Sequence, residues 1–133
     1  MNLRMATTFG AVLTLTSCSL LPGQDPHVVE ASDGTLLLVS SLSGEGMEAL
    51  ISGTLEKGEG DCLYIGGEDY DSLVIWSART TFNDDETAVL MPGYDPLSIG
   101  SWVEIGGGHT SVDGPSYPTI PSECDSEYVV SVN

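Results

Sequence analysis

The stretch Ala49-Leu50-Ile51-Ser52-Gly53-Thr54-Leu55-Glu56 alternates in its second half, with Ile51, Gly53 and Leu55 on one face and Ser52, Thr54 and Glu56 on the other. Successive side chains of an extended chain point to opposite faces, so a period of two predicts a strand with one buried side. Gly53 interrupts the apolar face without a side chain. A glycine there predicts strong bending or a bulge, which small barrels need to turn their strands. Lys57 to Asp61 (KGEGD) reads as a hairpin loop, and Cys62-Leu63-Tyr64-Ile65 as the return strand.

Working outward, Gly66 to Asp71 is an acidic turn and Leu73 to Trp76 a third strand. Arg79 to Glu86 is polar and reads as a longer connection. Thr87 to Met91 makes a fourth strand, stopped by Pro92-Gly93. Leu97-Ser98-Ile99-Gly100 leads into Ser101-Trp102-Val103-Glu104-Ile105, which alternates cleanly, and Gly106-Gly107-Gly108 is expected to end it. His109 to Glu123 is rich in Pro, Gly and Ser and reads as a long loop, and Tyr128 to Val132 as the final strand. Toward the N-terminus the core is expected to start near Met47. Before it, Asp33-Gly34 turns into Thr35 to Val39, a short apolar strand. Gly46 to Leu50 is a weak helical candidate and reads better as the lead into a strand.

Gly (16) and Pro (7) punctuate a chain whose apolar residues are rich in Val, Leu and Ile, a mix that favours short strands over helices. Five or six short, bent strands predict an all-β fold, a small closed or nearly closed barrel, with a β-sandwich as the alternative. The run Leu97-x-Ile99-Gly100-x-x-Val103-x-Ile105-x-Gly107 resembles the strand lead-in of OB-like barrels, where a glycine lets the backbone turn into the wall.

The first residues have the anatomy of an export signal. Arg4 lies in a short n-region, and an apolar run from Met5 to Leu15 is too short for a spanning helix, which needs about 20 residues. Leu15-Thr16-Ser17-Cys18 then resembles the lipobox of bacterial lipoproteins, an aliphatic residue and two small ones before a cysteine. The resemblance implies cleavage before Cys18, lipidation of its sulfur, and a membrane partner reached through that lipid on the extracytoplasmic face. The alternatives are an ordinary cleaved signal or a buried N-terminal helix. Residues 1–17 would be the signal peptide, 18–34 a flexible tether broken by Pro22-Gly23 and Asp25-Pro26, and 35–133 the β domain, with its core at 47–133. His27 falls in the tether and reads as a solvated linker residue. The whole is similar to small lipoproteins of high-GC Gram-positive bacteria, through Gly53-Thr54-Leu55, Cys62-Leu63, Val74-Ile75-Trp76 and Gly106-Gly107-Gly108. That likeness implies a location and a fold but no activity.

Setting Cys18 aside leaves an even pair, Cys62 and Cys124, each at the edge of a strand-like run; in an exported chain these predict a disulfide. It would close a loop of about 60 residues, worth up to about 4 kcal/mol in the chain-entropy model. Free thiols or a metal site are the alternatives, the metal disfavoured because no histidines stand at ligand spacing.

Charge narrows the partners. Acidic residues number 20 against three basic ones, Arg4, Lys57 and Arg79, for a net charge of −17, one unit more negative once Arg4 is removed with a signal. Such a surface repels phosphate backbones, which argues against nucleic acid, and repels anionic headgroups. It favours solubility, or a cation or a basic partner.

No motif names a reaction, and no cofactor is expected. Gly106-Gly107-Gly108-His109 is the most unusual local sequence: glycine amides can cradle an anion, with His109 as acid or base and Asp113 to orient it. The competing reading is a tight crossing beside Trp76 or Trp102. No G-x-S-x-G occurs. Glu68-Asp69-Tyr70-Asp71 and Asp84-Asp85-Glu86 offer weak Ca²⁺ ligands in Asp69, Asp71, Asp84 and Asp85, without the EF-hand pattern. Trp76, Trp102, Tyr64, Tyr70, Tyr94 and Tyr117 offer either a stacking platform or barrel filling. The leading expectation is a non-catalytic envelope binding module. A structural surface protein without a ligand, and a small hydrolase or cation-dependent activity using His109, are the alternatives.

Overall fold

The computed structural model describes residues 25–43, 49–124 and 126–133. The signal segment, Cys18, most of the tether and the expected core start at Met47 lie outside the described residues. The ten strands are β1 (His27–Glu30), β2 (Leu36–Val39), β3 (Ala49–Lys57), β4 (Leu63–Gly66), β5 (Asp71–Trp76), β6 (Thr81–Phe82), β7 (Ala88–Leu90), β8 (Leu97–Ser98), β9 (Trp102–His109) and β10 (Val129–Val132). No α-helix occurs among the described residues, only single 3-10 turns at Glu59–Asp61 and Ser122–Cys124.

Five strands close a barrel. β3 pairs antiparallel with β4 and β9, β4 antiparallel with β5, β5 parallel with β10, and β10 antiparallel with β9. Counting these strands along the chain, the first is followed round the wall by the second, third, fifth and fourth. This Greek-key order, with the third and fifth strands parallel, is that of an OB-like barrel.

β3 makes closure possible by changing partners midway. It pairs with β9 from Ala49 to Thr54 and with β4 from Thr54 to Lys57. Gly53 sits at the changeover. A Cβ there would lie 2.2 Å from the Gly66 carbonyl oxygen and 2.8 Å from Ile65 Cγ2, so only glycine lets the strands approach.

One end of the barrel is covered. Between the third and fourth barrel strands, β6, β7 and β8 form a small antiparallel sheet. Val89 and Met91 join the barrel core, and Phe82, Leu97 and Ile99 pack against it. Sequence assigned Arg79–Glu86 to a connection. The two residues of β6 are too few to show a period.

The wall has an extra hairpin. β1 pairs antiparallel with β2, and β2 runs parallel to β5 through Leu38–Ile75 and Val39–Trp76. Ile75 also pairs with Ser131 of β10, so β2 occupies the opposite edge of β5, the one β4 has left. Here the structure departs from the expected tether, because His27–Glu30, placed in it by the sequence, form a strand of the sheet. Pro26 and Asp33-Gly34 read as breakers, yet they bracket four alternating residues. Val29 packs on the core, and His27 belongs to a strand. Asp33 stabilises the turn by accepting from the Thr35 hydroxyl (2.7 Å) and amide (3.0 Å).

Side-chain alternation sorts the apolar residues into two cores. Leu55, Leu63, Ile65, Val74, Trp76, Val103, Ile105, Val130 and Val132 point into the barrel, joined by Leu37 and Val39. The intervening Leu38, Tyr64, Leu73 and Ile75 point outward into a second core with Cys62 and Cys124. Residues 110–128 cross this outer face as a strap, laying Val112, Tyr117 and Ile120 on it. The strap is fixed at one end by the Cys62–Cys124 disulfide (Cα–Cα 5.8 Å) and along its length by the Ser41 amide donating to Ser116 O (2.9 Å). Among the described residues, no such cover lies on β3 and β9. Leu50 and Trp102 on their outer face are about two-thirds exposed.

Candidate functional site

Among the described residues, nothing closes the barrel end opposite the small sheet. Following the inward parity of each strand to this end gives a ring: Ile51 of β3, Ile65 of β4, Ser72 of β5, His109 of β9 and Val130 of β10. All five line a cleft of about 280 Å³. Its rim is the β4–β5 turn, Gly67 to Tyr70, with Leu50 and Ser52 across from it. Cross-strand pairing places Ile65 against Ser72 and His109 against Val130.

Ser72 is the telling member. It is an inward polar residue in a strand whose other inward positions are Val74 and Trp76, and it is 5 % exposed. Its hydroxyl has no hydrogen-bond partner among the described residues. The oxygen is not sealed in the wall, since Trp76 Nε1 is the one fully buried side-chain polar atom without a partner among the described residues; the Ser72 oxygen opens to the cleft, where a water or a ligand's polar group can reach it.

The rim is aromatic and acidic. Tyr70 stacks on Tyr128 with centroids 3.8 Å apart and planes at 20°. The His109 ring lies 6.2 Å from that of Tyr70, tilted at 55°. Glu68 and Asp69 line the same cleft, and no lysine or arginine among the described residues does. Lys57 is drawn elsewhere, 4.0 Å from Asp33 and 3.7 Å from Asp61, and Arg79 lines a separate depression with Ser77 and Pro92.

The residues singled out in the sequence divide sharply. His109, Asp69 and Tyr70 meet at the open end; Asp71 is the first residue of β5, beside Ser72. Asp84 and Asp85 lie on the β6–β7 turn, and no three acidic, histidine or cysteine side chains among the described residues are grouped to hold a metal. Trp76 and Trp102 do not form a joint platform. Trp76 is fully buried in the barrel and its Nε1 lacks an acceptor among the described residues, whereas Trp102 stands on the bare outer face.

The glycine run is corrected most. It does not end β9: the strand continues through Gly106, Gly107 and Gly108 to His109. All three glycines pair with β3 or β10, and the Gly106 amide donates to Tyr94 Oη (3.0 Å). They therefore form no anion cradle. A Cβ on Gly107 would lie 2.4 Å from Ser131 O and 3.1 Å from Val132 Cα, so glycine permits close approach of β10. The crossing at Gly107 is against β10. His109 makes no hydrogen bond to Asp113 among the described residues.

Sequence reading passed over Ser72, because one serine before an apolar run has the look of a strand end. The signal lay in parity: Ser72, Val74 and Trp76 share a face.

Comparison with protein families, curated proteins and solved structures finds no match to this chain. No helix among the described residues is long and apolar enough to cross a membrane.

Proposed function

We propose that this chain is a lipid-anchored cell-envelope protein whose barrel serves as a non-catalytic binding module, with the open barrel end as its site. The anchor rests on the apolar run and Leu15-Thr16-Ser17-Cys18, and the disulfide pair agrees with an oxidising compartment. The binding role rests on one observation above the others. Among the described residues the barrel is covered at one end and strapped along one side, yet at the other end it keeps a recessed cleft into which the Ser72 hydroxyl opens. The non-catalytic reading is supported by His109, which has no hydrogen-bonded carboxylate among the described residues.

The strap bears on where a ligand enters. OB barrels bind oligonucleotides and oligosaccharides on the face of their second and third strands. Here those strands are β4 and β5, and their outer face is filled by Val112, Tyr117 and Ile120. Binding is thereby directed to the end of the barrel.

Two measurements test this reading. The mass of the protein extracted from membranes of its host should begin at Cys18 and include acyl chains; an unmodified chain starting at Met1 would remove the anchor. Amide spectra recorded against solubilised envelope fractions should move Ser72, Tyr70 and His109 while leaving Trp102 and Thr54 unmoved. Fractions that move no resonance at the cleft would remove the binding role.

A further inference from the structure

We infer that the cleft at the open barrel end takes a primary alkylammonium group, as carried by a lysine-type side chain of a basic peptide. This rests on the binding-module reading and specifies its ligand. The cleft has the two parts such a group needs. Leu50, Ile51, Ile65 and Val130 give it apolar wall for an aliphatic stem. Ser72, which lines the cleft and whose hydroxyl makes no hydrogen bond among the described residues, offers an acceptor to a charged N–H, and hydrogen bonds to a charged group are about twice as strong as neutral ones. Tyr70 presents an aromatic ring at the rim, a surface that attracts cations.

Charge decides the sign of the ligand. Glu68 and Asp69 flank the cleft, no lysine or arginine lines it, and the basic residues nearest in the fold are held elsewhere. The net charge of −17 adds a field that raises the local concentration of cations. A carboxylate or phosphate ligand would enter against both. A bare metal ion fits less well, since no group of three ligating side chains forms there among the described residues and half the wall is apolar. The stem requirement separates an alkylammonium from a simple cation.

The test uses the full chain and three probes of one length: pentylamine, pentanol and pentanoate, followed by amide chemical shifts. Pentylamine should move Ser72, Tyr70 and His109 and bind at least tenfold more tightly than pentanol, with pentanoate weakest. Raising the salt should narrow the gap. Glu68→Gln with Asp69→Asn should weaken pentylamine at least fivefold and leave pentanol unchanged, and Asp84→Asn with Asp85→Asn should change neither. Ser72→Ala should weaken the amine more than the alcohol. Equal binding of amine and alcohol at the cleft would overturn the inference and leave the binding module standing. No shift at the cleft from any of the three would overturn the inference, and the envelope fractions would then decide the module on their own.

Discussion

The two outer faces of one barrel wall obey opposite rules. On β9 the pattern from Trp102 to Ile105 is exposed, buried, exposed, buried, because its outer side meets solvent. On β5 every residue from Ser72 to Trp76 is buried, because the inner side meets the barrel core and the outer side meets the strap. Bareness leaves alternation visible in sequence, whereas burial on both faces turns it into a continuous apolar run. The difference is also energetic. Residues on the strapped face take part in two layers of packing, and residues on the bare face touch one layer or none.

The largest break in this contrast should come from removing the staple. Cys62→Ser with Cys124→Ser should lower unfolding free energy by about 4 kcal/mol in the chain-entropy model, read by urea titration. Hydrogen exchange should quicken in the strap and in β4 and β5 before it does in β3 and β9. Next is a matched pair of truncations. Ile75→Ala on the strapped face should cost about 2–5 kcal/mol, the range for a large buried residue. Trp102→Ala on the bare face should change stability by less than about 0.5 kcal/mol, despite the larger side chain removed.

A third substitution probes the seam between the faces. Gly107→Ala puts a methyl group against the backbone of β10, which cannot yield as a side chain can. A loss of about 1–3 kcal/mol is expected, the usual cost of overpacking. The smallest effect concerns the hairpin that extends the strapped side. The Thr35 hydroxyl, then the Thr35 amide, hold the Asp33 carboxyl below the ordinary aspartate value. A depressed value means that the contribution of Asp33 to stability is complete above its unfolded value and is lost as pH falls through the folded one. Thr35→Val should move the Asp33 titration upward, measured by carboxyl carbon shifts, and the small loss of stability should be present at neutral pH and vanish in acid.

The sequence is legible where the wall is simple. β3 and the start of β9 are predicted by period, Gly53 by its place inside a strand, and the Cys62–Cys124 pairing by the parity of cysteines once Cys18 is set aside. Misreadings arise where one local cue has two structural meanings. Gly106 to Gly108 resemble a stop, but in a barrel they let two backbones close up. His27 to Glu30 sit between breakers and look like linker until β2 gives them a partner. The strap was recognised as a loop by its Pro, Gly and Ser content, but its role depends on Val112, Tyr117 and Ile120 meeting a face that only the tertiary fold creates. The candidate site was half visible. His109 and the acidic turn were singled out separately, and only β5 and β9 ending together at one barrel mouth bring them to Ser72.

Hydroxyl-radical footprinting of the aromatic residues, with and without reduction, tests the layered barrel most directly. In the oxidised protein Trp102 should react fast, with Tyr70, Tyr94 and Tyr128 behind it, while Trp76 and Tyr64 stay protected. On reduction Tyr64 should become reactive as the strap lifts, and Trp76 should remain protected inside the barrel. Trp76 reacting as fast as Trp102, or Tyr64 as fast as Tyr94 before reduction, would contradict the account.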